Sequence, residues 1–191
     1  RLLGKEGVSV VQFEGKDVLK VEPAALTRLA REAVRECSFF LRDERLGRYR
    51  GYMRVWRRHQ TIRTLSLGES EDLITWSGPR IIWQAGPEYG PGAQLYGMTV
   101  FMEGGVYWGL PWMFYNDLAP DPAVQQTMHL KLAWSEDGVN WSAVFPEQDA
   151  VPLGEEGTFD CGMILSQCPV VREGDRIRLY YYGSERRHDS H

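Results

Sequence analysis

Arginine crowds one stretch of this sequence: Arg42, Arg45, Arg48, Arg50, Arg54, Arg57, Arg58 and Arg63. In an extended strand, Arg50, Tyr52, Arg54 and Trp56 share one face by the period of two. Guanidinium groups interleaved with aromatic rings can bind an acidic sugar or a phosphate. The competing expectation, which we take as the default, is a solvated face with Tyr49, Met53 and Val55 packed beneath it. Tyr96, Trp108, Trp112 and Tyr182 are candidates for flat surfaces that stack on sugar rings, although most aromatics in a β fold are core.

Other chemistries lack their residues. There is no Gly-rich phosphate loop, no His-Glu-x-x-His and no Gly-x-Ser-x-Gly elbow. Net charge is -4, which argues against a general nucleic-acid partner. Cys37, Cys161 and Cys168 form an odd set without a Cys-x-x-Cys, so no disulfide framework and no cofactor is expected. His188 and His191 sit together on one terminal loop, which specifies no metal site. No apolar run is long enough for a membrane-spanning helix, so no membrane partner is expected. No basic-then-apolar leader precedes the first strand, which weakly favours the cytoplasm and leaves localisation open.

The elements fall into two unlike parts. Val8–Phe13 and Asp17–Val21 are β-prone runs around a Glu14-Gly15-Lys16 turn signal, a hairpin. From Ala24 to Leu41, apolar residues recur at three- and four-residue spacing, which predicts an amphipathic helix. After it an internal repeat dominates. Ser70-Glu71-Asp72-Leu73-Ile74-Thr75-Trp76-Ser77 matches Ser135-Glu136-Asp137-Gly138-Val139-Asn140-Trp141-Ser142. Gly97-Met98 matches Gly162-Met163 at the same offset. Between the matches lie four strand-like runs, which suit one four-stranded propeller blade. In each repeat the aspartate is expected to bond backbone amides of a turn, and the tryptophan to pack between blades.

Two resemblances follow from named residues. Leu2-Leu3, Val8-Ser9-Val10, Phe13-Glu14-Gly15, Val18-Leu19-Lys20-Val21, Ala25-Leu26-Thr27 and Ser38-Phe39-Phe40-Leu41-Arg42 resemble the N-terminal segment of class I, iron–sulfur fumarate hydratases. Nothing here matches that family's cluster-binding cysteines, so this resemblance implies ancestry or fusion rather than catalysis. Tyr49-Arg50-Gly51-Tyr52, the two Ser-Glu-Asp turns, Leu95-Tyr96-Gly97-Met98, Tyr107-Trp108-Gly109-Leu110, Phe159-Asp160-Cys161-Gly162-Met163 and Tyr180-Tyr181-Tyr182-Gly183 resemble five-bladed β-propellers of the glycoside hydrolase 32/43 type. Together they imply a mainly β fold: an incomplete five-bladed propeller over 44–191, preceded by a hairpin and one helix over 1–43. The propeller part would hold one complete blade and two partial ones. Five blades at the observed period need about 325 residues.

The second resemblance implies a pair of carboxylates at the ends of innermost strands, one protonating the leaving oxygen and the other acting as nucleophile or base. Asp160 is the first candidate, because the equivalent place one repeat earlier is Leu95. Glu88, in the Gly/Pro-rich loop before an innermost strand, is the second. Asp117 and His188 are polar candidates for substrate binding, beside Arg50 and Arg54. Three readings follow. One is a glycoside-hydrolase-like fragment, whether or not its catalytic set is complete. Another is a non-catalytic carbohydrate- or partner-binding module. The third is a non-functional fumarate hydratase remnant fused to a propeller. The expected partner is a carbohydrate, with self-association through exposed blade edges.

Overall fold

A computed structural model of the 191-residue chain describes residues 8–13, 16–21, 38–57 and 61–189. The expected hairpin forms: β1 (Val8–Phe13) pairs antiparallel with β2 (Lys16–Val21), Val8 opposite Val21. Most of the expected helix lies outside the described residues. Its last part does not hold, because Ser38–Leu41 open a strand, β3 (Ser38–Asp43). Phe39 is buried and the adjacent Phe40 is 52% exposed. That alternation belongs to a strand, and pairing with β4 (Arg48–Arg57) along the whole of β3 enforces it. No α-helix occurs among the described residues, and no helix there is long and apolar enough to cross a membrane.

The first sheet runs β3–β4–β5–β6, with β5 (Ile62–Ser70) and β6 (Arg80–Trp83), all antiparallel. The sequence suggests a domain boundary at 43/44; β3, on the near side of it, is an edge strand of this sheet. The second set begins after a short 3-10 turn at Pro87–Tyr89. There β7 (Ala93–Glu103) pairs with β8 (Val106–Tyr115), and β8 pairs in turn with β9 (Met128–Leu130) and β10 (Leu132–Ser135). β11 (Ser142–Val144) closes that edge. On the other side, β12 (Met163–Leu165) pairs parallel with β9 and antiparallel with β15 (Tyr182–Ser184), completing a seven-stranded sheet, while β13 (Val171–Glu173) and β14 (Arg176–Arg178) form a separate two-stranded one. The sheets are open, and the fold is mainly β.

Packing follows the period of two along β8. Tyr107 and Met113 face the first sheet, in a core with Phe39, Tyr52, Leu65, Leu67, Leu95 and Val100. Leu110, Trp112 and Phe114 belong to another core, with Met128, Leu130 and Ile164. One strand therefore feeds two cores, as a middle layer must. On β4 the same alternation sends Arg50 and Tyr52 towards the second set. At Arg50 the default expectation of a solvated arginine face is overturned, since this side chain is 4% exposed.

The repeated turn is built twice with the same bonds. Asp72 Oδ1 accepts from the amides of Ile74 and Thr75, and Ser70 Oγ donates to it. Asp137 Oδ1 accepts from the amides of Val139 and Asn140, and Ser135 Oγ donates to it. Each carboxylate thus closes a turn by replacing a backbone acceptor. The tryptophan that follows lies over a glycine of the neighbouring strand: Trp76 over Gly51 and Trp141 over Gly109.

Candidate functional site

Tyr96 is half-buried and stands at an irregularity of β7. Along β7, Leu95 pairs with Met113 and Gly97 with Trp112, so Tyr96 is the extra residue of a β-bulge. A bulge re-aims its side chain and is common beside functional sites. Glycine is required at position 97, because a Cβ there would run into the Trp112 ring. Around Tyr96 gather residues from four segments. Arg54 of β4 lies 4.4 Å and Arg63 of β5 lies 5.1 Å from its ring centroid. Arg63 also lies over Trp56 and Phe114, at 4.4 and 4.6 Å. The His188 ring packs on Phe114 at 4.8 Å and on Tyr96 at 5.3 Å.

Hydrogen bonds fix the rim. His188 Nε2 is 3.0 Å from the Tyr96 hydroxyl, and its Nδ1 is 2.6 Å from Asp189 Oδ1. A neutral ring carrying its proton on Nδ1 donates to Asp189 and accepts from Tyr96. The His188 amide donates to the Gln126 carbonyl, and Gln126 Nε2 donates to Asp117 Oδ1 at 2.7 Å. Gln126 Oε1 is buried with no hydrogen-bond partner among the described residues. Arg63 Nη1 donates to Gln94 Oε1 at 2.9 Å. Thus Tyr96, Arg54 and His188 come together, and the exposed Asp117 is linked to His188 through Gln126. They form a half-buried patch of rings and guanidinium groups with hydroxyl, imidazole and amide at its margin.

The remaining candidates lie elsewhere. Arg50 is part of a buried network that joins the two sheets. Its Nη1 donates to the Asp137 carbonyl at 2.6 Å, and its Nε donates to Glu69 Oε1 and lies 3.4 Å from Asp43 Oδ2. Tyr107 donates to Asp43 Oδ2 at 2.5 Å, and Tyr52 donates to the Gly138 carbonyl at 2.9 Å. Burial, together with the bond to Asp43, pushes the Tyr107 hydroxyl up to about 12. Arg50 therefore holds sheet to turn rather than facing solvent. Trp112 is fully buried, so core packing takes the place of the stacking surface expected of it. Trp108 is half-buried and donates to the Glu103 carbonyl. Tyr182 is 61% exposed, in a separate cavity of about 490 Å³ with Leu165, Gln167, Cys168, Tyr180 and Tyr181.

The two catalytic candidates are not brought together. Asp160 is buried, accepts from Thr158 and Tyr181, and lies against Gly154 and Gly183. Glu88 is exposed and folds back over Gly86. The two share no neighbour among these contacts. Among the described residues no group of three or more His, Cys, Asp or Glu is placed to hold a metal ion.

No family model matches the chain. A stretch of 41 residues is 58% identical to the aerobic class I fumarate hydratases of Salmonella typhimurium and Escherichia coli, covering 22% of this chain and 7% and 8% of theirs. It is 54% identical to the anaerobic class I enzyme of Escherichia coli. The match thus spans less than a tenth of the length of these curated relatives. A wider likeness is to a solved structure, an N-acetylgalactosamine deacetylase from F. plautii in complex with blood group B trisaccharide. Its TM-score is 0.59 with 19% sequence identity, over 75% of this chain and 39% of that one. At that identity the likeness is one of fold.

Two features lay beyond the reach of sequence reasoning. Phe114 and Gln94 complete the Tyr96 patch with Arg63, already singled out in the arginine-rich stretch, and the bulge that gathers them leaves only the Leu95-Tyr96-Gly97 tripeptide as its trace in the sequence. The second is a polar cluster on the second core's rim. His129 Nδ1 lies 2.8 Å from Asp149 Oδ2, and Lys131 Nζ lies 2.7 Å from Asp149 Oδ1. Burial alone would raise the Asp149 carboxyl, but the bond and charge of His129, then those of Lys131, outweigh it and hold it below the usual range. Thr127 Oγ1 donates to the Val124 carbonyl and lies 2.9 Å from His129 Nε2.

Proposed function

We propose that this chain is a carbohydrate-binding segment of a carbohydrate-active protein, with Tyr96 and His188 at the centre of its sugar-facing surface. The reading rests on one observation, the bulged Tyr96 flanked by Arg54 and Arg63 and bonded to His188. A pyranose presents an apolar ring face and a rim of hydroxyls. An aromatic face bordered by imidazole, amide and guanidinium groups complements both. The guanidinium pair favours a sugar that carries a carboxylate. The fold likeness to an enzyme crystallised with a trisaccharide supports a carbohydrate partner. We further read the first sheet, the strands β7–β11 and the strands β12–β15 as consecutive blades of a five-bladed propeller of the glycoside hydrolase 32/43 kind, the parallel Met128–Met163 pairing joining the last two.

A hydrolase reading stays attached to Asp160, which needs a second carboxylate about 5–9.5 Å away. Binding without turnover is what separates the two. Titration of the chain against a glycan panel that includes uronic acids is expected to give saturable binding, weakened about tenfold or more by Tyr96→Ala. No release of reducing sugar is expected. Release abolished by Asp160→Asn would replace the binding module with an enzyme. Absence of binding to every glycan, or binding untouched by Tyr96→Ala, would defeat the proposal.

A further inference from the structure

Asp149, His129 and Thr127 form a chain of contacts outside the Tyr96 patch. His129 Nδ1 faces Asp149 Oδ2 at 2.8 Å, and its Nε2 faces Thr127 Oγ1 at 2.9 Å. Carboxylate, imidazole and hydroxyl in this order are the parts of a nucleophilic triad. Thr127 is 2% exposed, so no substrate carbonyl reaches its hydroxyl. What the hydroxyl does reach is the backbone. It donates to the Val124 carbonyl at 2.6 Å, and the Thr127 amide donates to the same carbonyl at 3.3 Å.

A hydroxyl has one proton to give. While Thr127 gives its proton to Val124, the contact with His129 needs a proton on Nε2, and the contact with the Asp149 carboxylate needs one on Nδ1. The ring is then an imidazolium. Once Nε2 has lost its proton it can only accept, and the Thr127 hydroxyl must turn from Val124 to His129 to keep that bond. The turn 124–127 is left with its longer amide bond alone. Facing the His129 ring are Asp149 from the loop after β11, Lys131 two places on, which lies against Asp149, and the Tyr115 ring of β8 at 5.3 Å. Tyr89, which interacts electrostatically with Tyr115 and with Glu88, stands behind that ring.

This turn is the seat of His188. Gln126 has a φ of 61°, in the left-handed region, and its amide donates to the Tyr115 carbonyl at 2.7 Å. A left-handed residue other than glycine persists only where its surroundings hold it. The Gln126 carbonyl accepts from the His188 amide at 2.8 Å, and the Arg187 guanidinium donates to the carbonyls of Pro122, Ala123 and Gln125. The segment so pinned brings His188 Nε2 to the Tyr96 hydroxyl.

We infer that the protonation of His129 sets the position of His188 against Tyr96, acting through the Thr127 hydroxyl and the backbone of Gln126. A charged His129 leaves Thr127 on Val124, the turn tight and His188 seated. A neutral His129 draws the hydroxyl away and loosens the seat. The coupling holds in the free chain; that it governs binding rests on the sugar reading.

NMR of the full chain without glycan, from about pH 5 to 8, tests the coupling. Besides the inflection from His188 itself, the ring signals of His188 and Tyr96 are expected to show a second one at the midpoint of His129. Thr127→Val should remove that second inflection while His129 still titrates, and Thr127→Ser should keep it. A merely structural part for Thr127 would displace the signals at every pH and leave the inflection in place. Should Thr127→Val lose its strand circular dichroism, Asp149→Asn takes over: it displaces the His129 midpoint, and the inflection should move with it. A wild type without the second inflection overturns the proposal. So does an inflection that survives in Thr127→Val, or one that stays put in Asp149→Asn. In a parallel titration with glucuronate, affinity should fall about fivefold as pH rises through the same midpoint. Affinity that ignores that midpoint overturns the control of binding. Glucuronate left unbound at every pH, with the coupling intact, counts against the sugar reading alone.

Discussion

The two Ser-Glu-Asp turns have nearly the same sequence and the same three bonds to the aspartate Oδ1, yet they sit in different surroundings. The second is locked from outside. Arg50 and Tyr52 reach across from the first sheet to the carbonyls of Asp137 and Gly138, and Trp141 packs on Tyr52 and Trp83. The first is held by its own residues, with Trp76 Nε1 donating to the Leu73 carbonyl and the ring resting on Phe40. The turn is therefore a local device set by its aspartate. What it contributes to stability depends on whether a neighbouring sheet covers it.

Substitutions should break this comparison in order of size. Arg50→Ala removes the cation from a buried network and leaves the Asp43 carboxylate its bonds from Tyr107 and the Arg45 and Leu46 amides but no counter-charge within it, at an expected cost of about 3 kcal/mol in urea unfolding. Trp141→Ala should cost about 3 kcal/mol and Trp76→Ala about 1 kcal/mol, because only the former loses a packed neighbouring sheet. Equal costs would mean that the two turns are equally covered. Tyr52→Phe leaves the ring in place and deletes one bond to Gly138, for about 1 kcal/mol.

The smallest effect concerns the aspartates. The Thr75 and Ile74 amides hold Asp72 below the usual carboxylate range. Burial works against Asp137, but the amides of Asn140 and Val139 and the Asn140 side chain outweigh it and lower Asp137 further. A folded value below the unfolded one means that the contribution is complete above the ordinary aspartate value, about 3.9. It is lost as pH falls through the folded value. Carboxyl titration followed by NMR should show both residues low, with Asp137 the lower. An ordinary titration of Asp137 would remove the bonds claimed for that turn.

Local chemistry was legible in the sequence, and the placement of faces was not. The hairpin at β1–β2 and the two turns follow from turn residues and alternation, which act over a few positions. The helix expected up to Leu41 failed at its end because Phe39-Phe40-Leu41 suits either period, and pairing with Arg50, Gly51 and Tyr52 decided it. Period two placed Arg50, Tyr52, Arg54 and Trp56 together but could not say which side meets a neighbour. The answer came from Asp137 and Gly138, more than eighty positions along the chain. At the candidate site, Tyr96, Arg54, Asp117 and His188 were named from residue type. The bulge that gathers Tyr96, Arg54 and His188 with Arg63 and Phe114 is a register feature that only pairing reveals.

Amide hydrogen exchange of the chain, with and without the tightest-binding glycan, tests the central claim most directly. The account predicts added protection in β4 around Arg54, in β7 around Tyr96 and over residues 186–189. Protection confined to residues 180–182, or none at a saturating concentration, would contradict it.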